Sequence, residues 1–136
     1  MELLFFAYRE FTTEPDNILS ELGFGRAHHR VIHFVGRNPG ITVSQLLSIL
    51  RITKQSLSRV LRQLIADCFV VQERGPKDRR QRLLYLTDEG RALENRVSED
   101  QRRRIRRAFA SAGPDGVAGF RRVLGAMVNA NGQSEQ

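Results

Sequence analysis

The stretch Ile52-Thr-Lys-Gln-Ser-Leu-Ser-Arg-Val-Leu-Arg-Gln-Leu64 decides how this chain is read. Thr53 is a good helix N-cap, and Leu57, Val60, Leu61, Leu64 and Ile65 recur at the spacing of one face of an amphipathic helix. The other face offers Thr53, Lys54, Gln55, Ser56, Ser58, Arg59 and Arg62, and no carboxylate stands between positions 51 and 66. A solvated helix face usually mixes both signs of charge. This one is suited to a polyanion.

Working outward, Thr42-Val-Ser-Gln45 is a capping-box pattern. The threonine accepts from the third helical amide while the glutamine reaches back to the cap. It opens a short helix holding Leu46, Leu47 and Leu50. Two short helices joined by a tight turn make a helix-turn-helix. Downstream, Phe69–Arg74 reads as a strand, Gly75-Pro76 as a turn signal and Leu83–Leu86 as the return strand. The resulting hairpin over 69–86 has a basic tip, Arg74, Lys77, Arg79, Arg80 and Arg82, with one acid, Asp78.

A helix-turn-helix followed by such a hairpin is a winged helix. Its second helix is expected to enter the DNA major groove N-terminal end first. That brings Thr53, Lys54, Gln55, Ser56, Ser58 and Arg59 to DNA, with Arg62 one turn farther on. Gln can pair bidentately with adenine, Arg and Lys with guanine, and Ser with a base or a phosphate. Arginines on a narrow ribbon suit a minor groove. Asp78 is expected to act within the chain by orienting an arginine, since a lone acid facing phosphate is unfavourable. Taken singly, a basic turn or a helix-turn-helix look-alike is more often ordinary structure; the two in this order point to DNA.

The flanks read differently. Residues 2–11 can start a helix, and Thr13-Glu-Pro-Asp16 reads as a fresh start capped by Thr13, with Gly23 as a stop. A helix over 26–37 follows, with Ala27, Val31, Phe34 and Val35 on one face and Asn38-Pro-Gly40 ending it. Thr87 caps a long helix over about 88–111, with Leu93, Val97, Ile105 and Phe109 inward; Gly113-Pro-Asp115 breaks it. A last helix covers about 115–129, and Asn131–Gln136 reads as a polar tail. The fold class is mainly α with a small β-hairpin wing.

Charge follows the same division. The net charge is +7, yet residues 1–25 carry one base and five acids, 26–82 twelve bases and three acids, and the remainder nine and seven. A basic middle between non-basic ends suggests a polyanion-binding module flanked by elements with another job. Those ends are rich in apolar residues, Leu3, Leu4, Phe5, Phe6, Phe120, Val123, Leu124 and Met127, which need cover. The single cysteine, Cys68, leaves no internal disulfide and suits a reducing cytosol. No basic leader or membrane-length apolar run is read, so a cytoplasmic protein without membrane attachment is expected.

In these residues the chain resembles the MarR family of winged helix-turn-helix regulators. The resemblance rests on Ile41–Leu46, Ile52–Leu64, the wing Gly75-Pro-Lys-Asp-Arg-Arg80 and Leu86-Thr-Asp-Glu-Gly90, and it spans nearly the whole chain. The family's wing signature is D-x-R-D-x-R. Its second half stands as Asp78-Arg79-Arg80, while Gly75 and Lys77 replace the first acid and arginine. The spans Gly25–Phe34 and Ile52–Leu64 also resemble the PetP-like subgroup. The resemblance implies a single domain over 1–136 in a bacterial transcription regulator. Segments 1–25 and 88–130 would supply dimerisation helices, and 26–87 the winged helix-turn-helix that contacts double-stranded DNA. It implies a homodimer reading a pseudo-palindromic site. A response to a small ligand, metal or redox signal is a separate expectation.

Other features admit two readings. His29 and His33 share a helical face beside His28, a spacing that can hold a metal or a small ligand. No third ligand is evident nearby, although His28, or a Glu or Asp from another helix or subunit, could contribute; one histidine packing and the others solvated is the plainer reading. Cys68 stands where a glycine would close the preceding helix; a half-buried structural role is preferred to a redox sensor. Arg102-Arg-Arg-Ile-Arg-Arg107 lies within a helix and reads as a solvated face, with a DNA-flank contact as the lesser option.

Two other functions compete with sequence-specific regulation. A non-specific architectural DNA-binding protein could use the same winged helix, although pure electrostatics would need only Lys and Arg. A small enzyme is not indicated. There is no glycine-rich phosphate loop, no G-x-S-x-G and no carboxylate pair with a pocket signature. No cofactor is expected.

Overall fold

The computed structural model describes residues 1–132. The element order is α1 (Glu2–Glu21), α2 (Arg26–Arg37), β1 (Ile41–Thr42), α3 (Val43–Leu50), α4 (Lys54–Ala66), β2 (Val70–Arg74), β3 (Arg82–Leu86) and α5 (Asp88–Gly132). One compact unit covers Met1–Gln101 and a second begins at Arg102.

The first unit is built around one apolar cluster. It takes Leu19 from α1, Val31, Ile32 and Val35 from α2, Leu46 from α3, and Leu57, Val60, Leu61 and Leu64 from α4. Val70, Leu84 and Leu86 come from the sheet, and Leu93 and Val97 from the start of α5. Leu57 and Leu64 are fully buried. Truncating either to alanine would cost about 2–5 kcal/mol and loosen the α4 helix from its support.

The sheet has three strands in the order β1-β3-β2, all antiparallel. The hairpin expected over 69–86 is present, with Val70 opposite Leu86 and Arg74 opposite Arg82. The third strand was not read from sequence. Ile41 and Thr42 pair with Leu84 and Leu83, joining the entry of α3 to the wing. A two-residue strand leaves no alternating pattern to read.

At the N-terminus the sequence reading needs correction. Residues 2–21 form one helix, and Thr13 does not start a second one. Its hydroxyl donates back to the carbonyl of Arg9 at 2.6 Å, as threonines inside helices do. Pro15 lies within the helix, buried, and so supplies no amide for the carbonyl of Phe11 four residues earlier. The side chain of Gln101 supplies that donor instead, Nε2 to Phe11 O at 3.2 Å. Proline marked a boundary in the sequence because the rescuing donor lies far away in the chain.

Two helix ends repeat one motif. After α1, Gly23 has a φ of 75°, and the amide of Phe24 reaches back to Leu19 O at 2.9 Å. After α4, Cys68 has a φ of 64°, and the amide of Phe69 reaches back to Leu64 O at 2.8 Å. Both are Schellman closures. The two phenylalanines that follow them meet edge to face, ring centroids 5.6 Å apart. Cys68 thus fills the glycine-type position anticipated for it, but its side chain is exposed rather than half-buried.

The break expected near 113 is present: Gly113 has a φ of 78° and a ψ of 173° inside the span of α5, with Pro114 next. In the second unit Phe109 and Phe120 contact edge to face across that break, at 6.0 Å. The helix runs on to Gly132, past the point where the polar tail was expected; residues 133–136 lie outside the described residues.

Candidate nucleic-acid interface

Thr53 caps α4 as its residue type requires. Its hydroxyl accepts from the Ser56 amide at 3.1 Å and lies 2.9 Å from the Ser56 hydroxyl, toward which it directs its proton. Thr53 is therefore occupied by the cap, whereas Ser56 keeps its own proton to donate. The capping box at Thr42–Gln45 also closes, at 3.1 and 3.0 Å. The turn between α3 and α4 is held on its α4 side by the Thr53 side chain and on its α3 side by the main chain, the Arg51 amide donating to Leu47 O.

The apolar stripe fixes which way α4 faces. Leu57, Val60, Leu61 and Leu64 are inside, and Lys54, Gln55, Ser56, Ser58, Arg59 and Arg62 are all exposed. Lys54, Gln55, Ser58, Arg59 and Arg62 line one open surface groove. The polar face read from the sequence is gathered on one side of the helix, with its N-terminal end free.

The wing tip is ordered by its own backbone. The amide of Gly75 donates to Gln81 O at 3.1 Å, and that of Gln81 to Asp78 O at 3.1 Å. A side chain at Gly75 would bring its β-carbon to 2.6 Å from Asp78 O. The turn as built here therefore leaves no room for a side chain at position 75. Asp78 does act within the chain, but not on a guanidinium: its carboxylate accepts the Arg80 amide at 3.0 Å. Asp78 thereby shapes the turn, while Arg74, Lys77, Arg79, Arg80 and Arg82 are exposed.

The three histidines separate. His28 completes an N-terminal capping arrangement for α2: its Nδ1 accepts the Gly25 amide at 3.0 Å. Its ring stacks on Phe24 with centroids 4.6 Å apart, and Nε2 contacts Gln63 Oε1 on α4. Accepting at Nδ1 leaves Nε2 as the donor to that glutamine, so His28 ties α2 to α4. The sequence offered no sign of this, because histidine is an unusual reach-back residue. His29 and His33 instead line a pocket of about 260 Å³ with Tyr8, Phe11, Arg26 and Gln101. Burial first, then the charge of His33, holds His29 below the ordinary imidazole value. His33 Nδ1 is 3.8 Å from Glu94 Oε1. Among the described residues, no group of three or more His, Cys, Asp or Glu side chains is placed to hold a metal ion.

A family model described as MarR family matches residues 22–81, the segment that contains α2 through the wing tip. The chain is 55% identical over 129 residues to the HTH-type transcriptional regulator PetP of Rhodobacter capsulatus, covering 95% of this chain and 78% of that protein. The chain belongs to the MarR family. Solved structures agree in fold. A MarR-family regulator from Silicibacter pomeroyi superposes with a TM-score of 0.75 at 25% identity, over 93% of this chain and 85% of that one. A cysteine-to-serine MarR variant from E. coli, complexed with operator DNA, gives 0.69 at 22% identity, over 93% and 91%. This MarR-family chain is accordingly a winged-helix transcriptional regulator. Among its described residues no helix is long and apolar enough to cross a membrane.

Proposed function

We propose that this regulator reads double-stranded DNA sequence-specifically as a homodimer, with 26–87 as the reader and 1–25 and 88–130 as the dimerisation elements. The observation that carries the reading is the exposed face of α4. It combines an amide, hydroxyls and cations, beside a wing whose five bases are all exposed. Lys54, Gln55, Ser56, Ser58 and Arg59 contact base edges and adjacent phosphates, and Arg62 the backbone one turn on. Arg74, Lys77, Arg79, Arg80 and Arg82 take the flanking groove. Thr53 and Asp78 contribute through the turns they build.

Dimerisation is supported by uncovered apolar residues. Leu3 and Phe5 on α1 are 81% and 64% exposed, and Val123 and Met127 on α5 are 60% and 53% exposed. Side chains of this size left in water on terminal helices are the ones a second subunit would cover. A two-fold dimer presents two copies of α4 and so expects a pseudo-palindromic site.

The signal input is assigned to the pocket at His29 and His33. Aromatic and cationic groups line it together, which suits a small anionic or aromatic ligand; the triad of donors a metal would want is not gathered there. Cys68 is exposed and therefore open to oxidation, but no second thiol exists in the chain to resolve it. The protein acts in the cytoplasm, without catalysis and without a resident cofactor.

The test is in-vitro selection of bound duplexes with the intact protein, followed by competition against bulk DNA at physiological salt. A two-fold-symmetric consensus preferred by about a thousandfold or more supports specific regulation. Equal affinity for all duplexes would make it an architectural DNA-binding protein.

A further inference from the structure

The joint between α3 and α4 carries a residue that its backbone does not favour. Arg51 has a φ of 52° and a ψ of 40°, and its amide closes α3 by donating to Leu47 O at 3.0 Å. This is the left-handed region, where a β-carbon crowds the following carbonyl and glycine fits without strain. Among the described residues, positive φ occurs at Gly23, Gly40 and Gly113, and otherwise only at Arg51 and Cys68. Arg51 is exposed and adds nothing to the apolar cluster. Neither the local geometry nor apolar packing calls for an arginine here, which directs attention to what its side chain can meet.

The surroundings indicate what that side chain meets. Arg51 stands three residues before Lys54, at the end of α4 proposed to enter the groove. No acid lies between it and Ile65 to pair with it along the chain. When a recognition helix enters a groove, the turn before it comes to the groove's edge, where the phosphate backbone runs. A guanidinium there meets phosphate oxygens with a matching two-pronged geometry.

We propose that Arg51 is a phosphate clamp that sets the docking of α4, a role for which the chain accepts a strained turn. It rests on the reading of α4 as the DNA-entering helix. Phosphate carries no sequence information, so Arg51 raises affinity for every duplex alike and fixes register rather than preference.

The experiment compares intact wild-type protein with Arg51→Gly, Arg51→Lys and Arg59→Ala. It measures thermal melting, and binding to a mixed-sequence duplex and to a selected duplex over a salt series. Arg51→Gly is expected to melt at the same or a higher temperature, because the strain is relieved. It should nevertheless bind both duplexes about tenfold more weakly, with a salt slope shallower by about 0.9, the signature of one lost phosphate contact. Arg51→Lys should keep the slope, since it keeps the charge. Unchanged affinity and slope in Arg51→Gly, with Arg59→Ala impaired, would overturn the clamp while leaving the role of α4 intact. Weaker binding accompanied by a lower melting temperature would make Arg51 a folding residue and also overturn it. If wild-type protein bound neither duplex, the reading of α4 itself would fail.

Discussion

Gln101 donates its side-chain amide to the main-chain carbonyl of Phe11, the acceptor that Pro15 leaves without its helical partner. An arginine-rich stretch begins at the next residue, and the pocket beside His29 includes both Phe11 and Gln101. The bond therefore joins a defect in α1 to the wall of the candidate effector pocket.

That bond can be isolated by a cycle. Gln101→Ala leaves a part-buried carbonyl unsatisfied and should cost about 1–3 kcal/mol by denaturant unfolding. Pro15→Ala restores a helical amide at position 15, so in that background the cost of Gln101→Ala should shrink to a few tenths of a kcal/mol. Equal costs in the two backgrounds would mean that Gln101 matters for some reason other than the missing amide.

Gly90 is predicted to be the least replaceable residue of the wing's base. A β-carbon there would stand 2.0 Å from the carbonyl oxygen of Phe69. The two segments are held that close by Thr87, whose hydroxyl donates to Cys68 O and accepts the Gly90 amide. Because the obstacle is backbone, no side-chain rotation relieves it. Gly90→Ala should destabilise the fold by more than about 3 kcal/mol. Thr87→Val keeps the shape but loses both bonds, and should cost about 1–3 kcal/mol. Chemical denaturation of the two variants checks the order; a Gly90→Ala protein as stable as wild type would contradict it.

Much of this architecture was legible because it follows from local chemistry. The caps at Thr42 and Thr53, the stripe from Leu57 to Leu64 and the break at Gly113 are short-range signals, and each occurs where expected. What escaped were pairings made across the chain. Gln101 rescues a carbonyl ninety residues away, so Pro15 looked like a helix start when it is a tolerated interior residue. His28 looked like one of a ligand cluster, yet it caps α2 and reaches Gln63. The strand at Ile41–Thr42 has meaning only beside Leu83 and Leu84. For the candidate site, the exposed face of α4 and the basic tip could be read directly. The job of Asp78 could not, because a carboxylate choosing an amide over a guanidinium is decided by turn geometry.

His29 should make stability depend on pH in the mildly acidic range. Burial, aided by the charge of His33, holds its imidazole below the ordinary value of 6.5, with Asp16 and Glu94 opposing. The unfolded chain therefore takes up this proton at a higher pH than the folded one. As pH falls from about 6.5 toward the folded value, the unfolded state holds more protons and stability declines; below that value the loss is complete. Well above 6.5 the ring is neutral in both states and adds no pH dependence. His29→Gln stays neutral throughout and should lose less stability on acidification than wild type. Melting curves of the two proteins at a series of pH values test this, and parallel acid-side declines would rule it out.

The two halves of the proposed DNA surface should fail in different ways. Gln55 sits on the free N-terminal turn of α4, where its amide can pair bidentately with a base edge, so its loss removes information more than charge. Gln55→Ala should cost about 1–3 kcal/mol on the preferred site and little on other duplexes, with the salt slope unchanged. Arg80 sits on a turn that Asp78 ties through the Arg80 amide, so the guanidinium is presented from a fixed base. Arg80→Ala should weaken binding to all duplexes and flatten the salt slope by about 0.9. Asp78→Ala should act in the same direction as Arg80→Ala despite removing an acid, because the turn that presents Arg80 is lost. Simple electrostatics predicts the opposite sign, tighter binding when a carboxylate beside phosphate is removed. Titrations of the three variants against selected and mixed-sequence duplexes decide between these outcomes. If Asp78→Ala bound more tightly than wild type, Asp78 would be a repulsive charge rather than the support of Arg80.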